Sequence, residues 1–84
     1  MKVRIRLDTI TEIGNFVLAV TTATSNTEPV YVTDGKRMCV NGKSFMGLVH
    51  AREFDVLYCE CERDISRILY PFIPAEIVGE ESHE

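Results

Sequence analysis

Few side chains in this sequence are spaced for chemistry. The imidazoles are His50 and His83 and the thiols are Cys39, Cys59 and Cys61. An imidazole can carry a phosphoryl group or a proton, and a thiolate can attack carbon or bind metal. His83 lies in an acidic tail and reads as solvated. His50 falls near the end of a short helical segment, at the negative pole of its dipole, which favours imidazolium and repels an anion. Cys59 and Cys61 are two apart in an expected strand, so they point the same way and are badly placed to pair. A zinc site would need two more ligands where only Cys39 offers itself, so the spacing is not a zinc pattern. No metal and no cofactor are expected. Asp55, Glu60, Glu62 and Asp64 read as a solvated rim and a first-turn acidic cap rather than a catalytic carboxylate pair.

The cysteines read first as small hydrophobes. With Leu57 they form an apolar stripe opposite Val56 and Tyr58. If Val56 and Tyr58 face the helices, Leu57, Cys59 and Cys61 lie on the open face of the sheet as a candidate oligomer contact. Ser44 precedes Phe45-Met46-Gly47-Leu48-Val49 and can cap a helix through its hydroxyl. Exposed Phe45, Met46 and Val49 would make a docking patch, whereas some of them would pack inward if that turn faces the core.

The elements that position these residues follow from periodicity. Lys2 to Leu7 alternates, with Val3, Ile5 and Leu7 on one face and Lys2, Arg4 and Arg6 on the other, as in a half-buried strand. Asp8 to Gly14 reads as a polar connection. Asn15 to Asn26 is divided: its apolar run suits a strand, while an Asn15 cap and Val17, Val20 and Thr24 at helical spacing suit a helix. Val30 to Val32 and Lys36 to Asn41 read as strands joined at Asp34-Gly35, a pair that tolerates tight turns. Ser44 to His50 reads as a short helix and Phe54 to Cys61 as a fourth strand. A last helix starts at Asp64, puts Ile65, Ile68, Leu69 and Phe72 on one face, and stops or kinks at Pro71. The order is β-α-β-β-α-β-α, which predicts an α+β fold with helices on one face of an antiparallel sheet.

The chain has 84 residues, enough for one domain with a stability of roughly 3–5 kcal/mol. Residues 1–78 are expected to form it, with 79–84 as an acidic tail. The net charge of −4 argues against nucleic acid, which requires a basic face. No apolar run approaches the ~20 residues that cross a bilayer, and no secretory pattern follows the N-terminal charges, so a cytoplasmic protein with reduced thiols is expected.

Val40-Asn41-Gly42-Lys43-Ser44-Phe45-Met46-Gly47-Leu48 resembles the segment of the bacterial sugar-system phosphocarrier HPr that enters its second helix and carries a regulatory serine. Glu12-Ile13-Gly14-Asn15-Phe16-Val17-Leu18-Ala19 lies where that family has a Gly-Leu-His-Ala-Arg-Pro run around its phosphorylated histidine. Asp55-Val56, Asp64 and Leu69 also fall where the family has similar residues. The resemblance implies an open-faced β-sandwich, a four-stranded antiparallel sheet with three helices on one face. It also implies that Ser44 is a candidate phosphosite and that Phe45, Met46 and Val49 are candidate docking residues. The departures are chemical. Phe16 takes the place of the phosphohistidine, Leu18 that of the supporting arginine, and Ala19 that of the proline. Neither Phe16 nor a shifted Asn15 can form a phosphoramidate. The first helix looks shorter than the family's and the Asp34-Gly35 hairpin slightly longer. Expected, then, is a non-enzymatic module that binds other proteins. The alternatives are a serine-phosphorylated regulatory paralogue of catabolite-repression type, or an oligomerising domain. Oligomeric state is open at this level.

Overall fold

The computed structural model describes residues 1–75. The acidic tail at 79–84 and His83 therefore lie outside the described residues. Strand β1 (Lys2–Ile5) pairs antiparallel with β4 (Leu57–Cys61), β4 with β2 (Val30–Thr33), and β2 with β3 (Cys39–Asn41). The sheet runs β1-β4-β2-β3. Among the described residues, helices α1 (Ile10–Ala23), α2 (Phe45–Ala51) and α3 (Ser66–Leu69) complete an α+β fold of four antiparallel strands and three helices.

Register explains which face is buried. Val3, Cys59, Val32 and Val40 stand side by side across the sheet, as do Ile5 and Leu57. These residues join Ile13, Phe16 and Val20 of α1, Leu48 of α2 and Leu69 of α3 in one core. The opposite face carries the row Lys2, Glu60, Tyr31 and Asn41 and the row Arg4, Tyr58, Thr33 and Cys39. There the Lys2 ammonium sits 5.0 Å from the centroid of the Tyr58 ring. Side chains alternate along a strand, so with the charges Lys2 and Arg4 on one face of β1 the apolar Val3 and Ile5 face inward, and the register carries Cys59 and Leu57 of β4 to the same side.

Helix α1 begins at Ile10, not at Asn15, so the expected connection from Asp8 to Gly14 is mostly helix. The cause is a capping box. Thr9 Oγ1 accepts the Glu12 N–H at 3.1 Å, and Glu12 Oε1 accepts the Thr9 N–H at 3.0 Å. Two orphan donors are satisfied at once, which outweighs the roughly 1 kcal/mol helix cost of Gly14. The helix spans 14 residues.

The connection from β2 to β3 is longer than a two-residue turn. Asp34 Oδ1 accepts the N–H groups of Lys36, Arg37 and Met38 at 2.8, 3.0 and 3.1 Å. Gly35 takes φ +79°, where a side chain is strained, and a Cβ there would stand 3.0 Å from the Tyr58 ring. Strand β3 consequently starts at Cys39 rather than Lys36. Likewise β4 starts at Leu57 rather than Phe54.

The turn into α2 is held by the Gly42 N–H, which donates to the Val30 carbonyl at 2.7 Å. After α3, a 3-10 turn at Tyr70–Phe72 contains Pro71, which lacks the N–H needed to continue an α-helix. The Phe72 carbonyl accepts the Arg6 N–H at 2.7 Å and so ties this end to the chain leaving β1.

Candidate functional site

The residues expected to mark a lost phosphoryl site do not share a surface. Phe16 is fully buried in the second turn of α1, with its ring 5.4 Å from that of Phe72 and edge-on at 81°. It is therefore a core ring and does not stand at the start of the helix. Leu18, two residues on, is 68% exposed and points away from the core. The helix start itself is formed by Asp8, Thr9 and Glu12. Glu12 Oε1 already accepts the N–H groups of both Asp8 and Thr9 at 3.0 Å. A carboxylate thus occupies the positive pole where an anionic group would bind. Among the described residues the one histidine is His50, exposed in the last turn of α2.

Leu57, Cys59 and Cys61 are all buried, which corrects their placement on the open face. Tyr58 and Glu60, paired with Arg4 and Lys2, take that face instead. The stripe packs against helices and is closed to a second molecule. Burial pushes the Cys59 thiol up to about 12, with the neighbouring Cys61 and Glu60 adding to the effect, so it stays a neutral, inert thiol. Cys39 is exposed on the edge strand. No group of His, Cys, Asp and Glu that could hold a metal occurs among the described residues.

The Ser44 segment is the remaining candidate. Ser44 is the N-cap of α2, and its Oγ accepts the Gly47 N–H at 3.1 Å. Beside it, Met46 is 66% and Phe45 39% exposed, while Val49 is half-buried against the core. The Phe45 ring lies over α1 at Gly14, where a Cβ would stand 3.9 Å from Phe45 Cε2, an ordinary van der Waals contact. Ile10, one turn before Gly14, is 49% exposed. The structure thus gathers Ser44, Phe45 and Met46 on one turn and leaves Ile10 exposed in the first turn of α1, a segment expected to be a loop. Its signal was the Thr9-x-x-Glu12 capping pair.

Lys43 beside Ser44 serves the fold. Its Nζ donates to the carbonyls of Ser25 and Glu28 at 2.8 and 2.7 Å and pins the loop after α1. Arg63 closes the same loop. Its Nε meets Glu28 Oε2 at 2.9 Å and its Nη2 donates to the Ala23 carbonyl at the end of α1. The guanidinium and the Ser25 N–H hold the Glu28 carboxyl below its ordinary range.

Comparison with known proteins finds no matching family model, no matching curated protein and no matching solved structure. Among the described residues no helix is long and apolar enough to cross a membrane.

Proposed function

We propose that this chain is an HPr-like protein-binding module, not an enzyme, that docks partners through α2 and has no phosphocarrier activity. The observation that carries the reading is the contrast within one molecule. The residue aligned with the phosphoryl acceptor, Phe16, is a core ring, while Phe45 and Met46 beside Ser44 face solvent. Large apolar side chains left out of a core favour a surface that meets another protein. The element order β-α-β-β-α-β-α supports the same reading. On this reading the partner belongs to the sugar phosphotransferase system or its regulation, and the protein works in the cytoplasm. Incubation with the general enzyme of that system and phosphoenolpyruvate is expected to leave no acid-labile phosphate on the chain; a labelled histidine overturns the reading. Titration of the isotope-labelled chain with a sugar-transport phosphotransferase domain is expected to shift the Phe45, Met46 and Val49 signals. Unmoved signals there remove the docking surface.

A second reading is favoured by the Ser44 cap. A phosphoryl group on Ser44 would add close to two negative charges at the start of α2, where the helix amides favour them. Treatment with an HPr-type serine kinase and ATP would then add one phosphate, and Ser44→Ala would abolish it. A phosphate that survives this substitution rules the reading out.

A further inference from the structure

The net charge of −4 is unevenly placed along the chain. Residues 1–75 hold all nine Lys and Arg and nine of the thirteen Asp and Glu, so the described fold is formally neutral. The whole excess falls on residues 76–84, where Glu76, Glu80, Glu81 and Glu84 stand without a Lys or Arg. The described chain approaches this segment close to β1, because the Phe72 carbonyl accepts the Arg6 N–H at 2.7 Å. β1 is an edge strand of the sheet. It turns Lys2 and Arg4 to the open face, and Arg6 continues the alternation just beyond the strand.

The other cations are committed or solitary. Lys43 Nζ is held by two carbonyls and Arg63 by Glu28. Lys36 and Arg37 flank the Asp34 carboxylate, which accepts their N–H groups. Arg52 caps α2 and Arg67 stands alone on α3. On β1 itself, Arg6 meets Asp8 at 3.9 Å. The Lys2 ammonium lies over the Tyr58 ring and not on Glu60, its cross-strand neighbour. Among the described residues no carboxylate forms an ion pair with Lys2 or Arg4.

We propose that residues 80–84 of the same chain dock on the open-face side of β1, with their glutamates against Lys2 and Arg4. Complementary charge and attachment both favour this occupant. A run of glutamates tethered beside a row of cations is drawn to it. The reach suffices. Lys2 lies four residues from Arg6, ~13 Å along a strand, while nine residues span up to ~30 Å extended and ~13 Å even as a helix. Exposed ion pairs are individually weak, but a short tether holds the glutamates at an effective concentration on the order of mM. A free anion has no such advantage. Docked in this way, the segment covers the Arg4-Tyr58 row and closes that cationic edge to other anions. The open face lies opposite α2, so the contact is separate from the Phe45-Met46 surface and does not depend on the function proposed above.

A nitroxide on Ser82→Cys reads the contact by NMR, in the full chain carrying Cys39→Ser so that no other exposed thiol among the described residues is tagged. The amide signals of Lys2, Arg4 and Tyr58 are expected to broaden strongly, and those of Phe45 and Met46 on the helix side to stay sharp. Lys2→Gln combined with Arg4→Gln is expected to abolish the broadening; both side chains lie outside the core, so the fold is kept. Salt at about 1 M, where the screening length falls to ~3 Å, is expected to abolish it as well. A mixture of tagged, isotope-free chain with untagged, labelled chain is expected to leave the β1 signals sharp. Broadening in that mixture gives the contact to the tail of a second copy and overturns the proposal. So does a β1 edge that stays sharp in the tagged chain, broadening spread equally over both faces, or broadening at β1 that survives the double substitution or the salt.

Discussion

Phe16 and Phe72 meet edge to face, centroids 5.4 Å apart, and this contact joins the middle of α1 to the turn that ends the described fold. Phe16 is fully buried and Phe72 nearly so. Edge-to-face pairs add about 0.5–1.5 kcal/mol beyond the area they bury. A ring that locks two ends of a small core serves stability first.

Phe16→Ala is accordingly expected to cost about 3–5 kcal/mol, comparable to the whole stability of a chain this size. Urea unfolding followed by circular dichroism should show a protein largely unfolded without denaturant. The more pointed variant is Phe16→His, which restores the residue type the resemblance asks for. It should gain no phosphoryl transfer, because its imidazole would sit among apolar side chains away from the free amides of the helix start. A phosphorylated Phe16→His variant would mean that α1 is not arranged as described.

The helix start gives a second test. Thr9→Ala removes the acceptor for the Glu12 N–H and should cost about 1 kcal/mol. For a domain of 60–100 residues that is a fall in Tm of about 4–8 °C. Asn15→Ala, at an exposed position inside α1, should change stability by less than about 0.5 kcal/mol. Were Asn15 the cap, the two effects would be reversed.

Much of this architecture was legible in the sequence. Strict alternation marked β1, Ser44 marked the start of α2, and Pro71 marked where α3 had to change. Two residues misled. Gly14 looked like the end of a loop because its helix cost is visible in sequence, and the capping pair Thr9 and Glu12 that outweighs it was passed over. Tyr58 decided the orientation of β4. Large and amphipathic, it could face either way, and only pairing with Arg4 and Thr33 sends it outward and buries Cys59.

The thiols should divide by exposure. Cys39 is exposed, whereas Cys59 and Cys61 are buried, and Cys59 is held neutral with its pKa pushed up to about 12. A disulfide reagent at neutral pH should label one thiol per chain rapidly. The other two should react only as fast as the protein opens, and all three at once in concentrated urea. Fast labelling of two or more thiols in the native chain would contradict the buried placement of the Leu57-Cys59-Cys61 stripe.

The pair formed by Arg63 and Glu28 supplies a test in which pH does the separating. Hydrogen bonds from Arg63 and from the Ser25 N–H lower the Glu28 carboxyl from its ordinary 4.5. A folded carboxyl that titrates below its unfolded value stabilises at pH above the unfolded value. That contribution fades as pH drops through the lowered folded value. Both groups are solvent-exposed, so the effect at neutral pH is small. Glu28→Gln should therefore lose this acid-side pH dependence and converge with the parent once Glu28 is protonated. Arg63→Gln should behave differently, because Arg63 also donates to the Ala23 carbonyl at the end of α1. Losing that donor leaves an end-of-helix acceptor to water at every pH, so Arg63→Gln should remain less stable than the parent even in acid. Urea midpoints measured from neutral pH to about pH 3 distinguish the two roles. If both variants converge with the parent in acid, Arg63 acts only as the counter-ion of Glu28 and its cap on α1 contributes nothing.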